Sequence, residues 1–137
     1  MKERLIGSWR LVSYETTDAS GRSGKPYGEA IGRIAYDARG NMTGQVMRPD
    51  RVAVGNGDGH AQQARNAYLG YIAYFGTYEV APDGASVVHH VEGSLNPSWV
   101  GGDQVRRLRF DGDRLVLSAE MRKKDGVVTH VLTWERC

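Results

Sequence analysis

His89 and Arg106 are the residues of this 137-residue chain whose types and neighbours point most directly to chemistry. His89 stands in Ser86-Val87-Val88-His89-His90-Val91-Glu92. Alternate strand residues share a face, so His89 joins Val87 and Val91. Arg106 stands in Gln104–Phe110 and shares its face with Gln104, Leu108 and Phe110. A charge on an otherwise apolar wall is costly unless it meets a protein partner or an anionic ligand group. If both faces turn into an enclosed interior, the pair binds or polarises a carbonyl, enol or carboxylate, with His89 as a general acid or base near neutral pH. Two plainer arrangements stay open. Arg106 either forms a salt bridge to Glu92 or Glu79 or faces outward. His89 is a core histidine bonded to backbone or to a tyrosine.

The aromatic residues extend the candidate site. Tyr68, Tyr71, Tyr74 and Tyr78 form a run that either packs a core or brings the hydroxyl of Tyr74 or Tyr78 to a ligand at a pocket mouth. Tyr36 belongs to the same apolar wall, and Trp99, between Pro97 and Gly101, suits part of a lid. Gln45 faces either way, because both faces of Met42–Arg48 mix polar and apolar residues. His89, Arg106 and Tyr78 are the first residues to test for catalysis. Tyr36, Gln45, Tyr74, Tyr78, His89, Trp99 and Arg106 are the candidates for ligand binding.

Other chemistries find little support. Adjacent His89 and His90 point to opposite faces of a strand and cannot chelate one metal. His60 and His130 add no recognised ligand spacing, so no metal site is expected. Gly55-Asn56-Gly57-Asp58-Gly59 lacks the Lys-Ser/Thr ending of a phosphate loop and the spacing of a dinucleotide fingerprint. No cofactor is expected. A net charge of +2, with Arg106, Arg107 and Arg109 split between two strand faces, argues against nucleic acid. No Ser-His-Asp order, cysteine nucleophile or paired carboxylate stands out. Cys137 is the only cysteine, which excludes a disulfide within the chain and fits a reducing compartment. The opening residues Met1–Gly7 contain no signal-peptide or transmembrane run, so the expected location is cytoplasmic, without a membrane partner. Oligomeric state is not readable.

These residues need strands to position them, and the sequence supplies about eight. Trp9, Leu11 and Ser13 alternate with Arg10, Val12 and Tyr14; a loop follows from Asp18 to Gly28. Ile34 and Tyr36 lead through Asp37-Ala38-Arg39-Gly40 into Asn41–Arg48. Ala61, Ala64, Tyr68, Ile72 and Phe75 then step by three or four, predicting one amphipathic helix between the third and fourth strands, capped by Asp58. From Gly76 alternation resumes, with Asp83-Gly84, Asp111-Gly112 and Asp125-Gly126 marking hairpin turns. An antiparallel meander of about eight strands removes its edges by closing into an up-and-down barrel, wide enough for side chains or one small ligand. An open sandwich is the alternative. The expected inner wall runs through Trp9, Leu11, Ile34, Tyr36, Tyr78, Val80, Leu115, Leu117 and Leu132. At 137 residues, with 40% hydrophobic and 25% charged content, the chain suits one soluble domain spanning 1–137.

Gly7-Ser8-Trp9 opens the first strand and Trp134-Glu135-Arg136 closes the last. In a closed barrel these strands are neighbours, so Arg136 can lie over the Trp9 indole. The arrangement resembles the Gly-x-Trp opening and final-strand arginine of lipocalins. Leu5–Glu15, Pro26-Tyr27-Gly28, Gly32–Tyr36, Met42–Arg51, Tyr71–Tyr78, Val88–Ser94, Trp99-Val100-Gly101 and Gln104-Val105-Arg106 complete an ordered series. Over nearly its whole length the chain is similar to the bacterial and fungal lipocalin-like domain family. That resemblance implies the closed β-barrel and a pocket, with no catalytic motif to carry over. The leading functional reading is a binding protein for a small hydrophobic or amphipathic molecule. A cofactor-independent cyclase or isomerase of polyketide- or terpene-type biosynthesis is the alternative, since a barrel can fold a flexible substrate against a few donors. A structural interaction module, with a filled lumen and an exposed apolar patch, is a third.

Overall fold

The computed structural model describes residues 2–137. The chain forms α1 (Lys2–Leu5), β1 (Gly7–Thr17), β2 (Ser23–Gly24), β3 (Ile31–Tyr36), β4 (Asn41–Met47) and α2 (His60–Leu69). β5 (Tyr71–Val80), β6 (Ser86–Ser94), a 3₁₀ turn (Pro97–Trp99), β7 (Asp103–Asp111), β8 (Arg114–Lys123) and β9 (Gly126–Arg136) follow. All pairings are antiparallel, and β1 pairs with both β3 and β9. β3 to β9 pair in sequence order, so eight strands close a barrel and β2 only extends the end of β1. The expected meander, with its helix between the third and fourth barrel strands, is therefore present.

Three short turns lie at one end of the barrel, and the long connections, with the short β8–β9 turn, lie at the other. The turns after β3, β5 and β7 share the floor with α1, whereas residues 18–30, 48–70 and 95–102 surround the opposite rim. The floor is packed. Leu5 and Leu115 are 0% exposed, Trp9 1% and Trp134 2%. The Arg136 guanidinium lies 4.2 Å from the centre of the Trp9 ring and donates through Nη1 to the Ile6 carbonyl and through Nη2 to that of Arg4. The floor predicted from the two chain ends thus forms, and it requires glycine at position 7. Gly7 has φ +130°, and a Cβ there would approach Arg136 Nη1 to 2.6 Å.

Two local features depart from the sequence pattern. In β1, Leu11 pairs with Trp134 but Ser13 pairs with Thr133, leaving Val12 as an extra residue. That bulge reverses the parity of the strand beyond it. Trp9 and Leu11 face inward as expected, but so does Tyr14, at 8% exposure. The helix also ends earlier than its apolar spacing implies. Gly70 stops α2, its N–H bonding to the carbonyls of Asn66 and Tyr68, and Tyr71–Phe75 enter β5. Ile72 and Phe75 are strand-favouring types, and pairing with β4 prevails over their helical spacing. Nor does Asp58 cap α2: the N-cap is Gly59, left-handed at φ 84°, with no side-chain hydrogen bond. α2 buries none of its residues, so it neither plugs the barrel nor builds its core.

Candidate functional site

The inner wall changes character between floor and rim. Near the floor most inward residues are buried, Val80 and Phe110 being half-buried. Further up β7, β8 and β9, the inward positions Gln104, Arg106, Ala119, Val128, His130 and Leu132 are only half-buried. The upper lumen is therefore reachable from the rim, and most of the polar side chains on the inner wall lie there.

His89 is the most buried of them, at 1% exposure. β5–β6 pairing sets it beside Tyr78, and closure of the sheet brings Tyr36 and Tyr74 to its two nitrogens. The Tyr36 hydroxyl lies 2.7 Å from Nε2 and the Tyr74 hydroxyl 2.6 Å from Nδ1. Burial holds the His89 pKa down at about 3, with Arg106 and then His90 adding to the effect. The ring is thus neutral, with one N–H and one lone pair. Tyr36 is 2% exposed, so its proton has no outlet except Nε2. Nδ1–H must then donate to the Tyr74 oxygen, which leaves the Tyr74 O–H free toward the half-open lumen. The tyrosine-bonded core histidine and the lumen histidine are one residue. Both His89 nitrogens are engaged, and burial disfavours the cationic form that acid–base exchange near neutral pH would use.

Arg106 turns inward. It donates to Gln104 Oε1 and to the Val105 carbonyl, both at 3.0 Å. No carboxylate among the described residues lies within ion-pair distance, and neither Glu92 nor Glu79 is its partner. Glu79 instead meets His90 on the outer surface at 3.1 Å, where Asp103 also bonds His90 at 2.7 Å. Those two hydrogen bonds, Asp103's the larger, raise the His90 pKa. His89 and His90 thus serve opposite faces, as strand geometry demands.

A second dyad lies across the lumen and was missed in the sequence. The Tyr14 hydroxyl sits 2.7 Å from His130 Nδ1, while His130 Nε2 is buried with no partner among the described residues. Burial pushes the Tyr14 pKa up to about 12 and pulls that of His130 down, helped by Lys123 and Arg106. If Tyr14 donates to Nδ1, one group is orphaned, Nε2–H. The reverse assignment orphans both the Tyr14 proton and the Nε2 lone pair. The first arrangement costs less. Sequence reading placed Tyr14 outward because strict alternation does not see the Val12 bulge. Only residue type and the shared inner face of 128, 130 and 132 could have marked His130.

The remaining candidates separate. Trp99, in the 3₁₀ turn between β6 and β7, stands edge-on to Tyr74 at 6.0 Å and 83°. Tyr78 is buried, but its hydroxyl donates to the Asp37 carbonyl at 2.6 Å, at the floor end and not at the mouth. Its ring packs on Tyr36 at 4.8 Å. Gln45 is exposed on the outer wall, where it accepts from the Tyr71 hydroxyl, so it is not part of the inner site. Two clefts on the outside of the barrel, one under the floor at Arg4, Phe110 and Arg136, do not reach His89 or Arg106.

A Trp-Arg floor, a closed eight-stranded meander and a half-open upper lumen agree with a match of residues 6–137 to the family described as "Lipocalin-like domain". The chain belongs to the lipocalin-like domain family. This lipocalin-like domain is also 37% identical over 87 residues to the 4'-hydroxy-3'-methoxypropiophenone carrier protein ppsC of Aspergillus oryzae (strain ATCC 42149 / RIB 40), a stretch covering 56% of this chain and 78% of that protein. Among solved structures it is similar to EF1p2_mFAP2b bound to DFHBI, with a TM-score of 0.48 and 12% identity over 98% of this chain and 95% of that one. The siderocalin Ex-FABP matches with a TM-score of 0.36 and 10% identity, over 98% and 71%. Among the described residues no helix is long and apolar enough to cross a membrane.

Proposed function

We propose that this lipocalin-like domain binds and carries a small amphipathic molecule with an aromatic body, held in the upper lumen. One observation carries the reading: Arg106 faces the lumen without a carboxylate, among tyrosines and histidines already bonded to one another. An arginine on an interior wall needs a counterpart, and here a ligand oxygen can be that counterpart. Tyr74 and Trp99 supply flat apolar surface for an aromatic ring, and Trp99 covers the rim. The relative named for carrying an aryl ketone supports the same size and chemistry. Both nitrogens of His89 are taken up by Tyr36 and Tyr74, which favours a holding role over proton exchange at that residue.

Titration with 4'-hydroxy-3'-methoxypropiophenone, followed by calorimetry and tryptophan fluorescence, tests the proposal. We expect 1:1 binding with Kd of about 1–100 µM, or about −8 to −5.5 kcal/mol. Trp99→Ala should raise the dissociation rate several-fold while leaving the barrel folded. Absence of binding at millimolar ligand, together with no co-purifying small molecule in native mass spectrometry, would overturn the reading.

A further inference from the structure

We infer that the upper lumen holds its ligand as an anion, the ionised form of a phenol or enol made acidic by conjugation to a carbonyl. The inference rests on the binding reading above and adds the charge state of the bound molecule.

The charges around Arg106 favour an anion. Every carboxylate on the barrel strands is exposed, on the outer face or at a strand end. The groups electrostatically coupled to Arg106 are Tyr14 from β1, Tyr36 from β3, Tyr74 from β5, His89 from β6 and His130 from β9; Gln104 on β7 bonds it directly. Burial raises the three phenols and lowers the two imidazoles, so all five are neutral near pH 7. The guanidinium is left as the one formal charge among these groups, and Lys123, which also acts on His130, has the same sign.

Hydrogen bonding points the same way. Arg106 has five N–H donors, of which Gln104 and Val105 accept two. His130 Nε2–H has no acceptor among the described residues, and the Tyr74 O–H is released by the Nδ1–H bond of His89. The wall thus presents more donors than the described residues around it accept. A neutral phenol would bring one more donor to it, whereas a phenolate or enolate oxygen only accepts. On binding below its own pKa, such a ligand releases its proton to solvent, and no covalent bond forms or breaks beyond that O–H.

The test compares 4'-hydroxy-3'-methoxypropiophenone with its 4'-O-methyl ether, which cannot ionise. Ionisation of the bound phenol is read from its long-wavelength phenolate absorbance across a pH titration. A cation within about 4–6 Å lowers an acid's pKa by about 1–3 units, so the bound midpoint should fall at least one unit below the free one. That equals at least a tenfold preference for the anion, and the ether should bind correspondingly more weakly. Arg106→Gln should abolish the drop and Arg106→Lys should keep most of it, with circular dichroism reporting that both variants fold. A bound midpoint at or above the free one in the unsubstituted protein, or a drop that survives Arg106→Gln, overturns the inference. Should ether and phenol bind alike with the phenol neutral, the binding reading stands and the anion falls. Should neither bind, both fall.

Discussion

Acidification from pH 8 to pH 5 probes whether His89 is a neutral, doubly bonded part of the wall. In the folded chain its pKa is held at about 3, whereas unfolding returns it to about 6.5. Between those values the unfolded chain binds a proton that the folded chain does not. The stability that His89 contributes is therefore complete above pH 6.5 and is lost as pH falls. One proton corresponds to a slope of about 1.4 kcal/mol per pH unit, hence about 2 kcal/mol between pH 8 and pH 5. His130 is also lowered and acts in the same direction, while His90 is raised and opposes it. Both remain in a His89→Gln variant, so their effects cancel in a comparison. Urea unfolding at several pH values should show the variant less stable throughout but losing about 2 kcal/mol less on acidification. Parallel slopes would refute the reasoning. So would an NMR titration in which the His89 Cε1–H resonance of the unsubstituted protein moves with a midpoint near pH 6.5.

Three further substitutions test the supporting geometry. Tyr36→Phe leaves a buried His89 nitrogen without a partner and should cost about 1–3 kcal/mol in urea unfolding; Tyr74→Phe, where water can substitute, should cost less than about 1 kcal/mol. Equal losses would contradict the greater solvent access on the Tyr74 side of His89. Arg136→Ala removes the stack on Trp9 and two carbonyl contacts, for an expected loss of about 1–2 kcal/mol. Arg136→Lys should recover less than half of it in the same assay, because an ammonium cannot stack as a plane. Gly7→Ala forces a Cβ against Arg136 at a strained φ and should cost about 1–3 kcal/mol, whereas Gly57→Ala, with open space around it, should leave the melting temperature within a few degrees.

Chain alternation and turn chemistry pointed to a closed barrel and its Trp9–Arg136 floor, and they determined which residues share a face with His89 and with Arg106, but not that those faces turn inward. Val87, His89 and Val91 share a face, as do Gln104, Arg106, Leu108 and Phe110, because side chains in an undisturbed strand point with a period of two. The three Asp-Gly turns marked the β5–β6, β7–β8 and β8–β9 reversals, and Trp9 with Arg136 marked the seam where the first strand meets the last. What the sequence could not settle is which hydroxyl meets which imidazole. Tyr36 and His89 are 53 residues apart and Tyr14 and His130 are 116 apart, so only closure of the sheet brings them together. Tyr14 faces inward solely because Val12 is an extra residue opposite β9, and a bulge depends on pairing between strands rather than on the pattern within one. The helix boundary followed the same logic, since pairing of Tyr71–Phe75 with β4 overrode their helical spacing. Tertiary contact alone thus decided that Arg106 faces neutral partners instead of a carboxylate, because that depends on everything packed around it and not on its own strand.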